Sequence, residues 1–234
     1  MNTDTATTKD GNIQNTVTAA TKDGNRQKTA ATAANEDSSK NSVTIGVLAV
    51  QGAFIEHEQM LQSLGVTCVE IRKPEQLAHI DGIILPGGES TVQGQLLRKL
   101  HILKPLRDMI LHGLPVLATC AGLILLAEEI DNGEPSHLGT LPVTVKRNAY
   151  GRQLGSFCTS TDLTGICAYP MVFIRAPYIA SVKDPVKVLG TVDDHIIAVQ
   201  YREQIGLSFH PELTGDTRIH EYFVKMIADS RKNK

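Results

Sequence analysis

The run Leu114-Pro115-Val116-Leu117-Ala118-Thr119-Cys120-Ala121-Gly122-Leu123-Ile124-Leu125-Leu126-Ala127 constrains this chain more than any other. An apolar stretch of strand length stops at Thr119-Cys120-Ala121-Gly122, and an apolar stretch of helical length begins at once. That is the local pattern of a nucleophile elbow, in which a sheet strand hands over to a helix through one sharp turn carrying the reactive side chain. The turn holds its nucleophile in a strained conformation with other chain close by, so its neighbours must be small. Ala118, Ala121 and Gly122 meet that need. A thiol at a helix start also feels the positive end of the helix, which favours thiolate over thiol. The competing reading is a buried core cysteine, since Cys is among the most buried residue types.

The flanking pattern supports a sheet enzyme. Residues 43–50 form a β-branched, nearly all-apolar run, as a central parallel strand covered on both faces would. Gln51-Gly52-Ala53 then turns into a helix over 54–64, closed by Gly65. Further strands are predicted at 67–71 and 82–85, with helices over 92–99 and from Pro105 to about Gly113. The elbow strand is the fourth. This alternation predicts an α/β fold: a flavodoxin-like open, mostly parallel sheet with helices on both faces and sites beyond the strands' carboxyl ends. Past Asn132, short β-rich runs at 143–147, 171–174, 186–192, 196–201 and 205–209 read as antiparallel additions in the C-terminal half. An amphipathic helix over 217–229 closes the chain.

Residues 1–42 are different material, rich in Thr, Ala, Asn, Asp, Lys and Gly, with a near-repeat at 5–12 and 18–25. Such a segment buries too little apolar surface to offset its ordering entropy, so a disordered tail is expected there and one domain over 43–234. Net charge is −2 with mixed signs, which argues against a nucleic-acid or membrane partner. Cys68, Cys120, Cys158 and Cys167 show no C-x-x-C spacing, as expected of free thiols in a reducing, cytoplasmic setting. No secretory signal and no apolar run of spanning length is read, and no metal-ligand spacing or cofactor motif.

The second informative stretch is Ile205-Gly206-Leu207-Ser208-Phe209-His210-Pro211-Glu212. His210 ends a strand and Pro211 holds it extended, so Glu212, two residues on, points to the same side. Glu212 can then accept a hydrogen bond from one imidazole nitrogen while the other faces a nucleophile, the orienting role of a triad carboxylate. Pro86-Gly87-Gly88-Glu89-Ser90-Thr91 leaves a strand's carboxyl end and opens a helix that Ser90 or Thr91 can cap. Either anion binding or a plain capped turn fits it. Arginines can clamp a substrate carboxylate, but spacing alone does not select Arg147 or Arg175 from the others.

Six segments in order carry a resemblance: residues 46–53, 85–91, 119–122, Arg147-Asn148-Ala149-Tyr150-Gly151-Arg152-Gln153, Phe173-Ile174-Arg175-Ala176-Pro177 and Phe209-His210-Pro211-Glu212-Leu213. Together they closely resemble the glutaminase subunits of pyridoxal 5′-phosphate synthase, which are class I, triad-type glutamine amidotransferases. The resemblance spans the chain from about Val43 onward. It implies Cys120 as nucleophile, His210 as general base and acid, and Glu212 as the carboxylate orienting it. It implies L-glutamine binding at Gly88, Glu89, Ser90, Arg147, Ile174 and Arg175, and an oxyanion hole from the backbone of Gly88 and Ala121. It also implies ammonia delivery to a synthase subunit, and no cofactor. Ala118 departs from the family, which usually has Gly two residues before the nucleophile, and its methyl is expected to crowd the elbow. The peptide between Gly87 and Gly88 is expected to flip easily, so a docking synthase can select the orientation that serves the oxyanion. The alternatives weighed are a cysteine hydrolase on a related sheet, which the glutamine-site match disfavours, and a silent binding module, which the intact triad disfavours.

Overall fold

The computed structural model describes residues 43–147 and 156–232. The expected tail at 1–42 and residues 148–153 of the Arg147-to-Gln153 segment lie outside the described residues.

The first half follows its apolar runs: β1 (Thr44–Leu48), α1 (Phe54–Ser63), β2 (Thr67–Ile71), β3 (Gly82–Leu85), α2 (Ser90–Lys99), α3 (Leu103–Leu111), β4 (Val116–Thr119) and α4 (Ala121–Leu126). Helix α3 begins two residues before Pro105. A proline in the first turn loses no helical hydrogen bond, because the first four N–H groups have no intrahelical partner. The chain continues through β5 (Ala127–Ile130), β6 (Leu141–Lys146), β7 (Ser156–Leu163), β8 (Ile166–Ile174), β9 (Tyr178–Val182), β10 (Lys187–Val192), β11 (His195–Tyr201) and β12 (Gln204–Leu207). A 3-10 turn at Pro211–Leu213 leads to α5 (Arg218–Lys232). Strands β5, β7 and β9 were not anticipated from the sequence. β5 is an edge strand carrying exposed Glu128 and Glu129, and β7 pairs with β8 in a hairpin whose residues alternate in exposure. Neither presents the apolar run that marks a central strand.

The main sheet runs β2-β1-β3-β4-β12-β11-β9-β6-β5, with β10 on β11. Strands β2, β1, β3, β4 and β12 are parallel to one another, the flavodoxin-like order with its fifth place filled from far along the chain. This corrects one expectation. Residues 205–209 were read as an antiparallel addition; β12 is antiparallel to β11 but parallel to β4. A tight reversal with Arg202 at φ 51 folds β12 back on β11, and the open edge of β4 supplies unpaired backbone groups for its other side.

Side chains alternate across this sheet. Ile83, Leu85, Val116 and Ala118 pack on one face with Leu97 of α2 and with Leu106 and Ile110 of α3. Ile45, Val47, Ile84, Leu117 and Leu207 pack on the other with Leu61 of α1 and with Phe223 and Ile227 of α5. Each fully buried Val, Leu, Ile or Phe among them contributes about 1.5–3 kcal/mol. Among the described residues no helix is long and apolar enough to cross a membrane.

Candidate active site

Strand β4 and helix α4 meet at Cys120 with no intervening loop, and Cys120 takes φ 47 and ψ −100. For an L-residue such a conformation costs on the order of 1–3 kcal/mol and persists only where the surroundings over-determine it. Here they do. Cys120 N–H donates to the Leu207 carbonyl at 2.8 Å, and every residue of α4 is buried. Gly122 lets the elbow lie against β3, since a Cβ there would come within 2.0 Å of the Leu85 carbonyl oxygen. Ala118 is fully buried, but its register partner on β12 is Gly206, which has no side chain to meet the extra methyl.

Because β12 lies parallel beside β4, the residues past their carboxyl ends emerge together: Cys120 beyond one strand, His210 beyond the other. His210 N–H donates to the Val172 carbonyl of β8 at 2.9 Å, fixing the backbone. Pro211 opens the 3-10 turn, and that turn, rather than extended chain, brings Glu212 Oε1 to 2.7 Å from His210 Nδ1. The His210 side chain is 8% exposed and that of Glu212 fully buried. Cys120 lies close enough to His210 to favour charge on the imidazole. Burial works against charge on His210, but its interactions with Cys120 and Glu212, including the Glu212 hydrogen bond, outweigh it and push its pKa up to about 10. Burial likewise opposes ionised Glu212, yet His57 and the His210 hydrogen bond hold it below the ordinary carboxylate value. An imidazolium that persists through neutral pH is the partner a nucleophilic thiolate requires.

The Gly87-Gly88 segment closes over this pair. A Cβ on Gly87 would lie 2.2 Å from His210 Cε1 and 2.8 Å from Nδ1. The Gly87 carbonyl accepts from Ala53 N–H at 3.0 Å, so in a trans peptide the Gly88 N–H points the opposite way. Gln51 Oε1 accepts from Glu89 N–H at 2.9 Å. Buried Gln93 donates from Nε2 to the Gln51 carbonyl at 2.9 Å and the Pro86 carbonyl at 3.2 Å. Gln93 thus ties the two loops together. The sequence reading missed it, although a glutamine on the buried face of α2 is a detectable signal. The cap of α2 is also corrected: the helix starts at Ser90, so the cap falls to Glu89, whose carboxylate accepts from Thr91 N–H at 3.3 Å and Val92 N–H at 2.9 Å.

Arg147 reaches the same helix start, donating from its guanidinium to Glu89 Oε1 at 3.2 Å and to Glu134 Oε2 at 2.5 Å. Burial tends to raise Glu89, but the Val92 and Thr91 N–H groups and the Arg147 charge bring it below the ordinary value. Ser90 is buried beside it. Ile174 and Arg175 stand exposed at the end of β8, two and three residues beyond the Val172 carbonyl that holds His210, with Arg175 at φ 44. Ala121 is the first residue of α4, where a backbone N–H has no intrahelical acceptor. The fold therefore brings together Cys120, His210, Glu212 and Gly87-Gly88, and separately Glu89 with Arg147. Behind Glu212 lie two fully buried histidines, His57 of α1 and His220 of α5, which the sequence reading did not single out. Their signal was a histidine at a core position of each helix. Among the described residues no group of three or more His, Cys, Asp or Glu side chains is arranged to hold a metal ion.

Residues 47–229 match the model of the SNO glutamine amidotransferase family. The pyridoxal 5′-phosphate synthase subunit PdxT of Desulfitobacterium hafniense strain Y51 is 59% identical over 188 residues, covering 80% of this chain and 94% of that protein. The subunit PdxT of Streptococcus pneumoniae strain CGSP14 is 52% identical over 192 residues, covering 80% of this chain and 99% of that protein. A crystal structure of a glutamine amidotransferase superposes with a TM-score of 0.75 at 42% identity, covering 78% of this chain and 98% of that one.

Proposed function

Since the chain belongs to the SNO glutamine amidotransferase family, we propose that it is the glutaminase subunit of a cytoplasmic pyridoxal 5′-phosphate synthase. It converts L-glutamine and water to L-glutamate and ammonia, and passes the ammonia to its synthase subunit. The observation that carries this reading is the His210–Glu212 hydrogen bond set beside Cys120 at a strained elbow.

Cys120 thiolate attacks the side-chain amide carbon of glutamine. The oxyanion that forms takes hydrogen bonds from the backbone N–H groups of Gly88 and Ala121; losing one such donor costs about 3–4 kcal/mol of transition-state stabilisation. The C–N bond breaks as His210 gives its Nε2 proton to the leaving nitrogen, releasing ammonia and leaving a thioester on Cys120. His210, now neutral, takes a proton from water as that water attacks the thioester, and glutamate leaves with the thiolate regenerated. Glu212 holds the imidazole by Nδ1 throughout, so that Nε2 faces the reaction. Arg147 and Arg175 supply cations for the α-carboxylate of glutamine, and Glu89 a carboxylate for its α-ammonium group. Ser90 and Ile174 line the bound side chain.

The test is glutamate production from glutamine by the full chain, alone and mixed with its synthase subunit. Sustained production that depends on Cys120 supports the assignment. A chain that binds the synthase but releases no glutamate in its presence refutes it.

A further inference from the structure

The reaction above uses Cys120, His210 and Glu212, but the buried polar chain does not end at Glu212. Its second oxygen, Oε2, lies 3.3 Å from His57 Nε2, and both side chains are fully buried. That contact falls short of full hydrogen-bond geometry, and among the described residues Oε2 has no hydrogen-bond partner. His57 Nε2 is also 3.3 Å from Thr119 Oγ1 at the end of β4, so it sits between the hydroxyl and the carboxylate. On its other side, His57 Nδ1 is 2.9 Å from His220 Nε2. Three separate elements, α1, β4 and α5, thus converge behind the catalytic carboxylate with two imidazoles that the chemistry itself does not touch.

The direction of this chain follows from electrostatics. A lone pair on His57 Nε2 would face the Glu212 carboxylate at 3.3 Å, so the proton belongs on Nε2. Nδ1 is then the acceptor, and His220 must donate to it from Nε2. That leaves His220 Nδ1 as an unprotonated nitrogen, and Nδ1 is the buried atom found without a partner. Both imidazoles are neutral in this arrangement. The titratable groups facing His57 are Glu212 and His210 from the turn after β12, His220 from α5, and Glu56 on its own helix; Tyr169 of β8 also faces Glu212. Burial is the largest influence on His57 and His220 and lowers both pKa values, which agrees with neutral rings.

We infer that His57 is a positioning residue of the glutaminase reaction, its Nε2–H holding Glu212 ionised and aimed at His210, and that His220 sets the tautomer in which His57 can do so. The inference rests on the proposed glutaminase function. Without the positive edge of an N–H 3.3 Å from Oε2, this buried carboxylate is driven toward its neutral form, and a neutral Glu212 would no longer hold an imidazolium at His210.

The test compares two pH profiles in the full chain bound to its synthase subunit: kcat/KM for glutamine, and the rate at which iodoacetamide alkylates Cys120, followed on the Cys120 peptide. In His57→Leu the acid limb of both profiles should move up by about one pH unit, because Glu212 then protonates at higher pH. His57→Gln carries an amide N–H close to the place of imidazole Nε2–H and should bring the limb back. A His57→Leu chain that loses thermal stability while keeping the native acid limb shows a merely structural histidine and overturns the inference. Should His57→Leu fail to fold, His57→Gln and His57→Asn decide, since the Asn amide nitrogen falls at the Nδ1 position instead. A shift in His57→Asn alone supports the inference, and equal profiles overturn it. Alkylation needs no glutamine turnover, so a shift there in a chain that makes no glutamate separates failure of the glutaminase reading from failure of this one.

Discussion

Gly87→Ala probes the site with one methyl group. The position has no left-handed φ to forbid a side chain, so the effect comes from space alone. The added Cβ would lie 2.2 Å from His210 Cε1 and 2.8 Å from Nδ1, where ordinary contact begins at 3.4 Å. The ring must therefore retreat by more than 1 Å, and it cannot do so freely. Its backbone is held by the Val172 carbonyl, and its Nδ1 is bonded to Glu212 at 2.7 Å. Stretching that buried, charge-assisted bond costs about 1.5–3 kcal/mol. Displacement of a catalytic group by about 1 Å can lower turnover on the order of a hundredfold. Gly87→Ala should thus fold, melt several degrees lower, and lose about two orders of magnitude in kcat/KM for glutamine with the synthase present. Alkylation of Cys120 by iodoacetamide should slow as well, because that reaction depends on the Cys120–His210 pair and not on the oxyanion hole. Native kcat/KM in Gly87→Ala would refute the placement of Gly87 over the His210 ring. Slowed turnover with native alkylation would assign the loss to the oxyanion hole instead.

Cys120→Ala should abolish ammonia release with the fold retained in circular dichroism, whereas Cys68→Ala, Cys158→Ala and Cys167→Ala should keep activity. Cys158 and Cys167 are exposed, and burial pushes the Cys68 thiol up to about 11, where it stays protonated. His57 and His220 are neutral in the fold, with His220 lowered to about 3, chiefly by burial. The unfolded chain protonates them near about 6.5. Below that pH the unfolded state binds more protons, and for His220 stability should fall as pH drops from about 6.5 toward 3 by up to about 1.4 kcal/mol per pH unit, with His57 acting in the same direction. Urea melts across this range should show the fall, His220→Leu should remove its own share, and an unchanged slope in that variant would count against a neutral, buried His220. The Gly87 carbonyl is held by Ala53 N–H, a bond worth about 0.5–1.5 kcal/mol net, so a docking partner can tip the peptide's orientation. Adding the synthase subunit should raise kcat for glutamine more than it changes KM, and equal kcat with and without it would exclude this control.

Much of the fold was determined by the sequence alone, because its signals are local. The apolar runs of β1, β3 and β4 and the glycines and alanines around Cys120 act within a few residues, and each appears in the structure where its pattern put it. Strand β12 and the segment His210-Pro211-Glu212 were visible too, as a strand ending in a histidine. Their place was not. Whether β12 extends the antiparallel half or completes the parallel one depends on which sheet edge is open when it arrives, and that is a property of the assembled fold. Only the parallel pairing with β4 sets His210 beside Cys120. The cap at Glu89 turned on where α2 starts, a matter of one residue that helix signals do not resolve. The side chains behind the site were the least legible. Gln93, His57 and His220 are polar residues on helix faces that the pattern reserves for apolar ones. In one dimension such a residue is a defect in a hydrophobic stripe. In three it is explained by its partners, which for His57 lie 62, 155 and 163 residues away at Thr119, Glu212 and His220. Buried polar groups must find one another across the chain, and only the packing of α1 and α5 on the same face of the sheet brings these within reach.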